Sequence, residues 1–183
     1  MAVESANSMS EEVTFTNEKE RLKMLLGLKG VTRAGWTRFP IQNPETVGSH
    51  CWGMGLAALL YCPEHLDREK VITLALIHDL AEVIVGDITP HDGVDKTEKR
   101  VAEERAIEMI LRGHPRSAEL QNWWQEFEDK TSPEGRFVSD LDKVDMGLQA
   151  ENYEEEFQCD LSEFTNAANR LVKGEETREL LGL

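Results

Sequence analysis

The chain has 183 residues, 40% of them apolar and 30% charged, which suits one soluble globular domain able to bury its own core. Its 20 Lys and Arg stand against 35 Asp and Glu, a formal charge of −15 that disfavours binding along a nucleic-acid backbone. A small phosphorylated substrate remains compatible, because one divalent cation and a few Arg residues reverse the field inside a pocket. Cys51, Cys62 and Cys159 are odd in number and form no C-x-x-C, which points to reduced thiols and a cytoplasmic setting. No apolar run is long enough for a membrane span.

Residues 1–16 are small, polar and acidic and read as a loose tail, with the domain proper at 17–183. Asn17 with Glu20 makes a capping box for a helix through KERLKMLLGLK, which Gly30 can close. A loop rich in Pro and Gly, GWTRFPIQNPE, follows, and small and apolar residues then recur at helical intervals from Val47 to Tyr61. Asp67 caps a helix carrying Val71, Leu74, Ala75 and His78, expected to run on through Asp79 and Glu82.

TPHDGVD is a loop. Beyond it KTEKRVAEERAIEMILRG is amphipathic, with Val101, Ala102, Ala106, Ile107, Ile110 and Leu111 as its apolar stripe. AELQNWWQEFEDK is another helix, and Ser132-Pro133 starts one through FVSDLDKVDMGLQA. The last thirty residues are weaker helix. With no alternating strand run and no repeat, the chain reads as an all-α bundle of six to eight helices.

One stretch does not fit a plain core helix. In LALIHDLAEVIVGD an apolar run is broken by His78-Asp79, by Glu82 and by Asp87. Buried charges need partners, and a divalent cation between His78 and Asp79 would satisfy both. Further ligands must come from other segments: His50, and one of Asp140, Asp142 or Asp145 in SDLDKVDM. Two imidazoles with two carboxylates suit Mn²⁺, Co²⁺, Fe²⁺ or Ni²⁺, and Mg²⁺ less well. Such a site acidifies water and gives a nearby Glu an acid–base task.

The ordered set His50, His78-Asp79 and an Asp in D-x-D-K resembles the HD-domain metal phosphohydrolases. ETVGSH, IHDLAEVIVGDITP and FVSDLDKVDMGLQA resemble the YfbR-like 5′-deoxynucleotidases in particular, over roughly residues 19–153. That resemblance implies an HD-domain helical bundle and a metal-dependent phosphomonoesterase acting on deoxynucleoside 5′-monophosphates. By it, His50, His78, Asp79 and Asp142 hold one divalent ion (Mn, Co or Mg, with Fe or Ni as alternatives). Asp140 or Asp145 is then a surface or capping carboxylate.

Glu82 and Asp87 match the family's catalytic carboxylates, and Trp36 its indole beside the sugar, which excludes a 2′-hydroxyl. The bacterial pattern puts Arg directly before that Trp, whereas this chain has Gly35. Arg33 or Arg38 is left to bind phosphate, with Arg33 preferred. A homodimer is likewise expected from the resemblance.

The alternatives are a non-catalytic HD-fold protein that senses a nucleotide or carries a metal, and an HD phosphohydrolase acting on alarmones or cyclic nucleotides. The first of those two substrates calls for a second acid where Val83 stands. The second calls for extra histidines, with only His91 and His114 to supply them.

Overall fold

The computed structural model describes Phe15 and residues 17–183. Of the expected tail only Phe15 is therefore described, with the Arg21 guanidinium 5.1 Å over its ring; the rest lies outside the described residues. Among the described residues there are eight α-helices of six residues or more, one single-turn α-helix and three short 3-10 turns (Leu26–Gly30, Ala34–Arg38 and Pro90–Asp92), with no strand beyond an isolated Thr32–Thr46 bridge. In chain order the α-helices are α1 Glu18–Leu25, α2 Val47–Tyr61, α3 Arg68–Ile77, α4 Glu82–Val85, α5 Lys96–Leu111, α6 Ser117–Glu128, α7 Pro133–Phe157, α8 Ser162–Leu171 and α9 Glu175–Leu180.

The helix starts follow local chemistry. Asn17, Thr46, Asp67, Asp95 and Ser132 each occupy an N-cap, and each side chain accepts a backbone N–H of the first turn. Pro133 follows Ser132 at the first helical position. At the opposite pole of α5, Arg21 donates to the carbonyls of Ile110 at 2.7 Å and Arg112 at 2.8 Å, satisfying acceptors a helix end leaves bare.

The 25-residue α7 is the axis of the molecule, with α2, α3, α6, α8 and α9 packed around it. Met54, Leu74, Phe127, Val138 and Leu141 form the main core between α2, α3, α6 and α7. A second cluster joins Ala81, Ile107, Ile110 and Trp124; a third joins Trp36, Ile41, Tyr153 and Leu161.

Two expectations need correcting. The helix carrying His78 does not continue to Glu82: α3 ends at Ile77, residues 78–81 form a turn, and α4 then begins. Trp124 donates its indole N–H to the His78 carbonyl at 2.9 Å, which satisfies the terminus this break creates. The apolar stripe of α5 is also narrower than expected, because Val101 is exposed while Ala106, Ile107, Ile110 and Leu111 are buried.

Close approach of α6 and α7 depends on Gly135, where a Cβ would stand 2.7 Å from the Glu126 carbonyl oxygen. Ala elsewhere in a helix gains about 1 kcal/mol over Gly, but here the backbone clash outweighs it. Gly135→Ala is expected to lose about 1–2 kcal/mol net, read as a lower thermal midpoint; a rise would show that the two helices part freely.

Candidate metal centre and its cavity

His50, His78, Asp79 and Asp142 come from three helices and a turn, yet they converge. His50 sits in the first turns of α2, His78 closes α3, Asp79 begins the turn, and Asp142 lies midway along α7. The two imidazole Nε2 atoms stand 3.1 Å apart. Asp79 Oδ2 lies 3.2 Å from His78 Nε2 and 3.6 Å from His50 Nε2, and Asp142 Oδ1 lies 3.5 Å from His50 Nε2. Both rings are buried.

The other ring nitrogens decide what this means. His78 Nδ1 faces the Ala75 carbonyl at 3.1 Å, an acceptor only, so Nδ1 carries the proton. His50 Nδ1 faces the Asp145 carboxylate at 2.7 Å and is a donor for the same reason. In the neutral rings both Nε2 lone pairs therefore point at each other and at two carboxylates. Two imidazole lone pairs and the carboxylates of Asp142 and Asp79 thus converge, with Asp79 Oδ2 also accepting from Arg33 Nη1, and such a donor set fits a cation.

The titration behaviour agrees. Burial and the Arg33 charge lower the His50 imidazole, but its bonds with Asp142 and Asp145 outweigh them and push it up to about 9. Burial alone would raise Asp79, yet His78 and Arg33 hold it well below the usual carboxylate range. Asp142 is likewise held low against burial, by Lys143 and His50.

The centre opens onto a cavity of about 780 Å³, lined by Arg33, Trp36, Arg38, Glu82 and Asp87 as well as by His78, Asp79 and Asp142. Eight of the chain's 20 Lys and Arg residues line it, so a strongly acidic protein presents a locally balanced hollow. Arg33 is deep inside, its Nη1 3.3 Å from Asp79 Oδ2. Arg38 lies further out, paired with Glu163 and resting on the rings of Phe39 and Phe164. Trp36 is 2% exposed, packed on Phe164 and Tyr153 with ring centres 4.4 and 5.3 Å away; it serves the core and the cavity wall at once.

Glu82 is buried, and its Oε2 has no hydrogen-bond partner. Burial, with the charges of Asp79 and Asp87, pushes its carboxyl up to about 10. Asp87 Oδ2 accepts the Ala34 N–H at 2.7 Å, tying the Arg33–Trp36 segment to the chain leaving Glu82. All nine expected residues thus reach one centre and its cavity.

A family match over residues 10–179, to the HD domain, completes the picture. The chain belongs to the HD domain family. Its relatives include the 5′-deoxynucleotidase HDDC2 of Bos taurus, 41% identical over 136 residues, which are 73% of this chain and 66% of that protein. The chain thus spans just under two thirds of the bovine protein. The 5′-deoxynucleotidase hdd1 of Schizosaccharomyces pombe is 37% identical over 84% of this chain and 83% of its own length. Among solved structures, a conserved hypothetical protein from Pyrococcus furiosus superposes with a TM-score of 0.77 at 30% identity, covering 90% of this chain and 96% of that one.

Within this HD domain the expectation for Asp145 is overturned. It is no surface or capping carboxylate, because it holds the His50 ring. Asp140 does cap, accepting from the N–H groups of Lys173 at 3.0 Å and Gly174 at 2.6 Å. The i,i+3 spacing of Asp142 and Asp145 on one helical face was the available signal. Glu45, beside His50, Arg33 and Trp36, and Lys143, bonded to Asp142 at 2.6 Å, were also missed.

A Cβ at Gly53 would stand 2.9 Å from Asp145 Oδ1, so that glycine leaves room for the carboxylate. Asp145→Ala is expected to weaken divalent-ion binding about 10–100-fold, read by chelator competition. Gly53→Ala should shift affinity the same way by less, and unchanged affinity in both would show that the His50 ring needs no such support.

Proposed function

We propose that the chain hydrolyses deoxynucleoside 5′-monophosphates to deoxynucleoside and phosphate. The observation that carries this reading is the all-acceptor centre of His50, His78, Asp79 and Asp142, opening onto a cavity with an arginine and an unpaired buried carboxyl. The activity in the names of the 37–41% identical relatives supports it.

A divalent cation held by those four residues would neutralise phosphate charge, acidify a water and counter the burial and acidic repulsion that keep Glu82 protonated. Mn²⁺ or Co²⁺ suits two imidazoles with two carboxylates better than Mg²⁺, with Fe²⁺ and Ni²⁺ as chemical alternatives. Arg33 binds the phosphate dianion beside Asp79, and Arg38 guards the outer cavity. Glu82 takes the proton released as water attacks phosphorus. Asp87 holds the Arg33–Trp36 segment in place through the Ala34 N–H, and we assign to it the protonation of the leaving 5′-oxygen. Trp36 walls the sugar at C2′ and so favours deoxyribose.

The alarmone alternative lacks its acid: Val83 packs against the cluster of Leu28, Val47 and Cys51. His114 accepts the Arg116 N–H at 3.2 Å, and neither it nor the exposed His91 joins a cluster of metal-ligating side chains among the described residues. The three free cysteines suit a reducing, cytoplasmic setting. No helix among the described residues is long and apolar enough to cross a membrane.

A homodimer would use α2. That helix is apolar on all sides, and such a helix is normally buried. Yet Trp52, Leu56, Leu59, Leu60 and Tyr61 are exposed along it, with Leu76 beside Gly55. Trp52→Glu should convert a dimer to a monomer in sedimentation; an unsubstituted protein that sediments as a monomer would exclude this pairing.

The activity is tested by phosphate release from dAMP, dTMP, AMP and a cyclic nucleotide with Mn²⁺ or Co²⁺. Release from the deoxynucleoside monophosphates is expected, with AMP poorer and the cyclic nucleotide inert. Glu82→Gln should lower turnover about 10²–10⁴-fold with metal content and thermal midpoint unchanged. A regulatory protein would bind nucleotide and release no phosphate from any of them.

A further inference from the structure

One acidic side chain is engaged by both residues assigned to the substrate, and nothing above gives it a role. Glu45 lies just before Thr46, the cap of α2, with its side chain only 12% exposed. Its Oε1 accepts the Trp36 indole N–H at 2.8 Å and lies 3.9 Å from Arg33 Nε. Its carbonyl accepts the Arg33 N–H at 3.1 Å, and its own N–H donates to the Tyr153 hydroxyl at 2.8 Å. The Tyr153 ring in turn packs edge-on to Trp36.

Glu45 thus adds a joint between three parts: the short helical turn Ala34–Arg38, which Arg33 precedes and which bears Trp36, the start of the His50 helix, and α7. Packing on Phe164 and Tyr153 confines the indole to a slot, but an aromatic contact restrains rotation within that slot weakly. A hydrogen bond to a carboxylate is directional and fixes which ring edge faces the cavity. The same charge stands on one side of the Arg33 guanidinium and Asp79 on the other, so the planar group is held between two carboxylates.

We infer that Glu45 is a positioning residue that sets the sugar discrimination of this site, by locking the Trp36 indole and the Arg33 guanidinium against the cavity. The inference rests on the deoxynucleotidase reading. Glu45 acts through these two residues: its Oε1 is bonded to the indole and it is not among the residues lining the cavity. The neighbouring triad of Glu45, His50 and Asp145 is a structural group, because His50 Nδ1 is already bonded to Asp145.

The test compares kcat/KM for dAMP and AMP in the unsubstituted protein, Glu45→Ala, Glu45→Gln and Trp36→Phe. Glu45→Ala is expected to shrink the dAMP-over-AMP ratio about tenfold, the scale on which a pocket wall discriminates one small group. Glu45→Gln keeps a neutral acceptor for the indole N–H, so it should retain the ratio while raising KM for both nucleotides. Trp36→Phe keeps an aromatic ring and loses the N–H, so it should shrink the ratio as Glu45→Ala does, and the two changes combined should add little.

Titrating dAMP and AMP by calorimetry reads the same ratio as relative affinity without turnover. An unsubstituted protein that binds both nucleotides and hydrolyses neither would overturn the deoxynucleotidase reading and leave the Glu45 ratio measurable. A ratio unchanged in Glu45→Ala, with only a lower thermal midpoint, would overturn the inference. Should Glu45→Ala fail to fold, an unchanged ratio in Trp36→Phe would do so.

Discussion

Two imidazole nitrogens facing each other at 3.1 Å inside a protein are a constraint before they are a function. With both Nδ1 atoms committed to acceptors, the pair and the two flanking carboxylates can be stable only around positive charge. A proton on His50 is one way to supply it, and the raised pKa of that ring is the sign. A divalent cation is the other, and it competes for the same place. The surrounding architecture then follows: α2, α3 and α7 must end, begin or pass where these four side chains meet.

That requirement accounts for details that look unrelated. The break after Ile77 turns Asp79 and Glu82 out of helical register, so the first joins the centre while the second faces the cavity. Trp124 satisfies the carbonyl the break exposes, from α6, whose Phe127 also packs edge-on to the His78 ring. Gly53 leaves space on α2 for Asp145 on α7, and Asp145 sets the tautomer of His50. The His50 ring and the His78 carbonyl are met from other elements, by Asp145 on α7 and Trp124 on α6, so the core around the centre cannot be rearranged piecemeal.

Much of this was legible in the chain. Caps at Asn17, Asp67 and Ser132, the apolar periodicity of α2 and α5 and the out-of-place His78-Asp79 all depend on neighbours a few residues away, which sequence displays. The turn at residues 78–81 was not, because LALIHDLAEVIVGD has no Gly or Pro before Gly86 to mark a break. The break is set by tertiary bonding to Trp124 and the metal-type centre. Asp145 was misread because its partner is 95 residues away. Glu45 escaped notice for the same reason: nothing in NPETV marks an acid whose partners are an indole nine residues earlier and a tyrosine on α7.

The C-terminal part shows how a segment without motifs acquires a role. Residues after Phe157 have ordinary helical composition, yet α8 lies along α7 and presents Phe164 and Glu163 to the same hollow that Trp36 and Arg38 enter from the other side. The deep end of the cavity is therefore built from ligand-bearing helices, while Trp36, Phe164 and the Arg38–Glu163 pair, from a loop and a late helix, add rings and a paired charge to its wall. A deoxynucleoside monophosphate carries a dianion at one end and flat apolar surface at the other. The proposed substrate would thus be oriented with its phosphorus toward the histidines before any bond is broken.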